Sequence, residues 1–487
     1  MISESIIRRM TRLAYEYDAI NLSQGYPNES PPHAVRAALA YAVLTGDDTL
    51  IVDNCEGDPQ EIDKESLPKN DDESLSNERL DTDSQNKNSS IWKKTLGELM
   101  LMDPKRADIS NQYSPPMGRP DLHDAVRSYY KLLYNFDTLE ASLDVTITLG
   151  ATEAVASALR TIGSPGDKVV ILEPFHELYP NQCGIFYLDP IFVSLREVFN
   201  SDTNELDESN TSPKSSSAHW TYDRNELRNA LSQAKILLLN TPHNPTGKVF
   251  RHEELTEIVN WCIEFDVSII TDEIYEHMIH PDDLQHYVLP HEFPQIRDRV
   301  YVCNSIGKAV SATGWRVGWC LHPRTATPRY RAVHDQMVVM SPHPMQLAAR
   351  TYLSLPRDYF VVQVRRRYQR RIQILRDALQ SVGFRVANPE GAYYLLADYS
   401  NVRLWKSTNR EQNNDGIVGN PPTPEEAALH MLQHVGVACV PADAFTSRPN
   451  PGYYLRFAAC RSEEDITAAS QRLIEKLGKV TEISSTH

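Results

Sequence analysis

A lysine serves as a covalent carrier or a general base only where water does not hold its charge. Lys308 has such a setting, in NSIGKAVSATGWRVGW (304–319), a small-residue, Gly-punctuated loop between two apolar runs that also holds Ser305 and Arg316. Poor hydration lowers an ammonium pKa, which is what Schiff-base chemistry needs. Read alone, a loop lysine is more often simply solvated. A second string, SIITDEIYEHM (268–278), is an apolar strand ending in two carboxylates, with Tyr275 three residues beyond Asp272. The plain alternative there is a helix cap. In the third, LLLNTPHNPTGKVF (237–250), a buried strand runs into a turn rich in Pro, Asn and Gly. Asn244 then projects from the C-terminal edge of a sheet, where α/β ligand sites gather. Its plain alternative is an Asn-Pro turn.

The elements that must carry these residues are legible in the hydropathy pattern. Apolar runs at 145–149, 168–172, 235–240, 267–271 and 300–304 have the length and β-branching of strands buried on both faces. Helical patterns such as Thr152–Ile162 and Glu253–Phe265 separate them. This alternation predicts an α/β fold with a mostly parallel sheet. After Pro328 long amphipathic helices (345–353, then 357–382) lead to short strands near 392–397 and 453–458, the pattern of a smaller α+β domain. The expected division is 1–45 joining the small domain, 46–90 an insertion, 91–327 the large domain and 328–487 the small one.

Charge and composition narrow the function. The 487 residues carry a formal charge of −16, which repels phosphate backbones and argues against nucleic acid as a partner. Residues 46–90 hold 14 acidic and 4 basic side chains and no aromatics, a composition that cannot offset its ordering entropy. Polar interruptions of the same kind fall at 200–219 and 407–424. No apolar run is long enough to span a membrane, and Glu4, Glu16 and Asp18 among Arg8, Arg9 and Arg12 argue against a cleaved leader. The seven cysteines form no CxxC and no metal-ligand spacing, which predicts reduced thiols, a cytoplasmic location and no metal.

Together the strings resemble the class I/II aminotransferases, fold-type I enzymes that use pyridoxal 5′-phosphate (PLP), and above all the kynurenine aminotransferase/glutamine transaminase K/cysteine-conjugate β-lyase group. Eight strings occur in the family's order: NLSQGYPN (21–28), NQYSPPMGRPDL (111–122), GATEA (150–154), EPFHELYP (173–180), TPHNPTGKVF, TDEIYEHM, SIGKAVSATGWRVGW and GYYLRFAA (452–459). The likeness spans nearly the whole chain outside the three polar insertions. It implies a large domain with a mostly parallel seven-stranded sheet, and a homodimer. By resemblance Lys308 is the Schiff-base lysine and Asp272 the partner of the pyridine nitrogen. Asn244 and Tyr275 match the partners of the ring's phenolic oxygen. Ala151 and Thr152, opening a helix, match the phosphate-binding amides. Ser305 and Arg316 add to that cup, as does Tyr113 from the other subunit. Arg456 matches the arginine that forks onto the substrate carboxylate, a task for which lysine is a poor substitute. Gly25 lies where backbone approaches that carboxylate.

Two positions depart from the group. His176 stands where an aromatic ring usually covers the cofactor, leaving either His176 or the adjacent Phe175 to stack. Val339 and Met340 replace the aromatic–His pair of kynurenine aminotransferases, which weighs against kynurenine and favours an apolar or flexible side-chain pocket. The implied reaction moves the α-amino group of an L-amino acid to a 2-oxo acid by a ping-pong route. The runner-up is a lyase, cyclase or C–C bond former on the same fold. A retired, regulatory aminotransferase fold is the least favoured reading, since Lys308, Asp272 and Arg456 are all present.

Overall fold

The structure is a computed structural model that describes residues 5–45, 112–199, 218–402, 421–449 and 452–478. The insertion 46–90, most of 200–219 and 407–420 lie outside the described residues. The large sheet has eight strands in the order β2 (Leu143–Thr148), β9 (Gly318–Pro323), β8 (Val300–Ser305), β7 (Ser268–Asp272), β6 (Ile236–Asn240), β3 (Lys168–Glu173), β4 (Asp189–Phe199) and β5 (Ala218–Tyr222). The five strands from β8 to β4 run parallel; β9 is antiparallel to both its neighbours, and β5 is antiparallel to β4. Central strands need apolar side chains on both faces. Every residue of β6, ILLLN, is buried accordingly.

The eighth strand corrects the expected seven. The polar composition of 200–219 hid a hairpin, in which His219 and Ala218 pair with Val198 and Phe199 at the end of the long β4. An edge strand tolerates such residues because one side of it faces solvent.

A four-stranded sheet, β10 (Arg385–Val386), β11 (Tyr394–Asp398), β14 (Tyr454–Ala458) and β13 (Val440–Pro441), forms the second layer. The N-terminal strand β1 (Ile20–Asn21) pairs in parallel with β12 (Val437–Ala438). Met10, Ala14 and Leu22 pack into the same core as Ile372, Leu395, Phe457 and Leu473. Val35 instead joins the core of the large sheet, together with Ala348, Tyr352 and Tyr368. The second core thus begins near Ile372 rather than at Pro328, because the first helices after Pro328 turn their apolar faces to the sheet. The expected helix 357–382 is also interrupted, with a π-helical stretch at Tyr359–Val364 before the α-helix Arg365–Ser381.

Candidate active site

Parallel strands bring their C-terminal ends to one edge of a sheet. Here β3 ends in Glu173, β6 in Asn240, β7 in Asp272 and β8 in Ser305. The turn after β6 is fixed by Asn240, whose Nδ2 donates to the Asp272 carbonyl (2.8 Å) and whose Oδ1 accepts from the Asn244 amide (2.7 Å). Asn244 is buried, and its Oδ1 accepts from Arg456 Nη1 (3.1 Å).

Asp272 is 3% exposed. Tyr179 donates its hydroxyl to Oδ2 (2.8 Å), while Oδ1 has no partner. Burial pushes the carboxyl up to about 6, with the Tyr179 hydrogen bond and Lys308 opposing. A buried carboxylate oxygen without a donor is costly unless something else supplies one.

Lys308 donates its amine to the Gly25 carbonyl, which also accepts from the Tyr393 hydroxyl (2.8 Å). Burial brings the Lys308 ammonium down to about 8, and the charges of Arg316 and Arg456 push the same way. Gly25 is close-packed: a Cβ there would lie 1.8 Å from the Tyr394 hydroxyl oxygen. Tyr394 in turn meets the Tyr275 hydroxyl at 3.0 Å.

Arg456 comes from β14 and is 2% exposed. Its Nη2 donates to the Ser23 carbonyl (2.8 Å), and its Nε has no partner. The guanidinium carbon lies 4.5 Å from the Tyr394 ring centre and 4.6 Å from that of Phe445. Such a sandwich fixes the plane of the cation.

At the far side, the helix Ala151–Ile162 starts from Gly150 at φ 77° with no side-chain cap. The amides of its first residues, Ala151 and Thr152, have no acceptor within the helix. Arg316, itself at φ 56°, donates to the Leu149 carbonyl (3.2 Å) and lies so close that a Cβ on Gly150 would sit 2.7 Å from its Nη2. Helix amides, a guanidinium and the nearby Ser305 make a cup for an anion.

His176 follows β3, and its Nδ1 accepts from the Leu178 amide (3.2 Å). Burial, then the charges of Arg456 and Lys308, hold its imidazole down to about 3, so it is neutral. Phe175 points elsewhere: it is 5% exposed in the core, with its ring 5.1 Å from Phe192. Tyr113 is not gathered with the rest in a single chain, where it is 80% exposed.

Several supporting groups carry no mark in the residue pattern. Tyr179 lies inside a quoted string, but nothing marked its hydroxyl for Asp272. Tyr393, Tyr394 and Phe445 read as ordinary core aromatics. Cys460 donates to the carbonyls of Gln24 (3.3 Å) and Tyr26 (3.2 Å), clamping the loop that Lys308 touches. Glu273, Glu276 and His286 come within 4.8 Å of one another behind β7, a grouping that no spacing suggested. Thr271, Tyr129, Tyr134 and Asn304 donate to those carboxylates, so the group forms a hydrogen-bonded support for the strand ends.

Comparison with known proteins gives a consistent picture. The family model for aminotransferase class I and II matches residues 74–473. A Saccharomyces cerevisiae protein named as a probable kynurenine–oxoglutarate transaminase is 31% identical over 379 residues, 74% of this chain and 79% of the relative. Human kynurenine–oxoglutarate transaminase 1 is 28% identical over 479 residues, covering 95% of this chain and 93% of the relative. Among solved structures, N-succinyldiaminopimelate aminotransferase from Mycobacterium tuberculosis shares the fold with a TM-score of 0.72 at 24% identity, over 97% of each chain.

Proposed function

We propose, since this chain belongs to the class I and II aminotransferases, that it binds PLP at the sheet edge and passes the α-amino group of an L-amino acid to a 2-oxo acid by a ping-pong route. The observation that carries this reading is the buried, donorless Oδ1 of Asp272, whose carboxyl feels the charge of Lys308. It fits the protonated pyridine nitrogen of PLP. Asn244 and Tyr275 would face the phenolic oxygen. The amides of Ala151 and Thr152, with Ser305, Arg316 and Tyr113 of a second copy, would hold the phosphate. His176 would cover the ring, since Phe175 is committed to the core. When bound, the cofactor supplies an electron sink for the substrate α-carbon.

The chain's own residues do the rest. Arg456 offers a rigid fork to the substrate carboxylate and so fixes which bond at the α-carbon is presented. Lys308, with its ammonium brought down to about 8, is neutral in about one molecule in ten at pH 7, far more often than an ordinary lysine. It would take the α-proton and return it on the other side of the reaction. Tyr393, Tyr394 and Phe445, all buried, exclude water from that transfer. Asn244 touches Arg456 directly, so cofactor and carboxylate sites share one anchor. Val339 and Met340, in place of an aromatic–His pair, direct the preference to apolar or flexible side chains. Among the described residues no helix is long and apolar enough to cross a membrane, and the six described cysteines are buried and unpaired. Free thiols suit a reducing compartment such as the cytoplasm.

The test is a panel of L-amino acids with 2-oxoglutarate as acceptor, scoring amino-acid product against ammonia. Amino-acid product in equal measure to substrate consumed supports transfer; ammonia release overturns it. Borohydride reduction of the loaded protein should fix the cofactor on Lys308, and Lys308→Ala should remove turnover. Label on another lysine would refute the site.

A further inference from the structure

A cavity of about 310 Å³ lies between the outer strands of the large sheet and the small sheet, lined from the end of β3, from β4, β5, β11 and β14, and from the stretch around Phe445. Its polar groups are unevenly satisfied. Glu173 accepts from the Ser447 amide (2.8 Å) and hydroxyl (2.7 Å), and pairs with Arg448 (2.8 Å). Glu197 accepts from the Tyr454 hydroxyl (2.9 Å). Trp220, on the cavity wall and 6% exposed, has an indole N–H with no acceptor. A buried donor left so demands an acceptor.

The rest of the lining says what kind of molecule brings that acceptor. Leu195, Leu396 and Phe445 give apolar surface, and two guanidiniums stand at the wall, Arg448 paired with Glu173 and Arg196 with Glu226 (3.0 Å) and Asp223 (3.8 Å). Both wall carboxylates already hold donors, so an occupant need not be a cation. The volume is at the lower end of small-ligand pockets. We propose that this cavity is an accessory site for a small monocarboxylate with an apolar body, separate from the site at Arg456.

The two sites share a wall. The Phe445 ring centre lies 4.6 Å from the Arg456 guanidinium carbon, and the Phe445 carbonyl accepts from the Phe175 amide (2.8 Å), next to His176. An occupant therefore sets the position of the ring that covers Arg456, and affinity for the substrate carboxylate responds to it. That coupling rests on the transaminase reading; binding in the cavity does not.

Calorimetric titration of the cofactor-loaded protein with 3-phenylpropionate tests it, with 3-phenylpropanamide as an uncharged control of the same body that cannot condense with the cofactor. Two acid sites per chain are expected in the native protein and one in Arg456→Gln. Adding Trp220→Phe, which keeps an aromatic body and deletes the N–H, should weaken the remaining site about tenfold. Arg448→Gln, at the half-exposed rim, should weaken it several-fold and serves if Trp220→Phe does not fold. A single site that vanishes in Arg456→Gln overturns the inference, as does a remaining site indifferent to both substitutions or equally open to the amide. If Arg456→Gln keeps both sites, the accessory site stands and the role given to Arg456 fails.

Discussion

Burial holds the Asp272 carboxyl at about 6, so the folded protein without cofactor keeps that proton up to about pH 6, whereas the unfolded chain releases it near the ordinary value of 3.8. A raised folded pKa means that the folded state takes up the proton. The associated stability is fully present below about pH 4 and is lost as pH rises through about 6, a difference of about 3 kcal/mol for two units. Asp272→Asn removes the ionisation. Scanning calorimetry of the cofactor-free proteins should therefore find the variant more stable than its parent above pH 6 and no better below pH 4. A pH-independent difference would mean that the carboxyl is not the group responsible. The same variant should lose activity, because a neutral amide cannot hold a protonated ring nitrogen.

His176 gives a second prediction at this scale. With a pKa near 3 it presents an uncharged imidazole beside Arg456 and Lys308. His176→Phe should keep cofactor affinity and turnover within a few-fold, since a larger apolar ring supplies the same dispersion contact. His176→Ala should weaken cofactor binding at least tenfold in equilibrium dialysis. Unchanged binding in the alanine variant would place the imidazole off the ring.

Among the elements, the link between helices Thr327–Val338 and His343–Leu353 carries visible strain. Val339 adopts φ 64° and ψ −60°, and the Met340 amide donates back to the Val338 carbonyl at 2.7 Å. A β-branched residue in this tight turn is costly. The turn sets Met340 so that its sulfur accepts from the Ser114 amide (3.1 Å), beside Tyr113. Val339→Gly should raise thermal stability by about 1 kcal/mol, the relief of strain outweighing the added chain entropy. A lower melting temperature would show that the valine side chain contributes more than its backbone costs.

What was legible in the chain follows the same division. The strands β6, β7 and β8 announced themselves, because burial on both faces leaves continuous apolar runs. Asn244, Asp272 and Lys308 stood out because each lies at or just beyond the end of such a run. The hydroxyl of Tyr179, the Tyr394 and Phe445 rings around Arg456 and the thiol of Cys460 were not. Their partners lie far off in sequence, and an aromatic in an apolar strand looks the same whether it packs or positions. The hairpin to β5 was hidden by polar composition, and the helices after Pro328 showed an apolar face without showing which sheet it meets.

At the scale of the molecule, the 80% exposure of Tyr113 in one chain fits its proposed service to a second copy. Two inactive variants, Tyr113→Ala and Lys308→Ala, should regain part of the native activity when mixed and allowed to exchange chains. Full activity in a monomer by analytical ultracentrifugation would refute the shared site.

The seam between β1 and β12 bears on how the protein is made. The loop after β1 supplies the Ser23 and Gly25 carbonyls that meet Arg456 and Lys308, across 433 and 283 residues. While the chain emerges from the ribosome, β1 has no strand to pair with until Val437 has left the exit tunnel, and the proposed substrate fork waits for Arg456. Residues 151–316, which contain Asp272 and, Tyr113 apart, the residues proposed to hold the phosphate, are complete much earlier. A nascent chain arrested near residue 440 should therefore hold the large sheet yet refuse substrate, and ribosome-bound intermediates of that length would expose the uncovered face of β11 to chaperones.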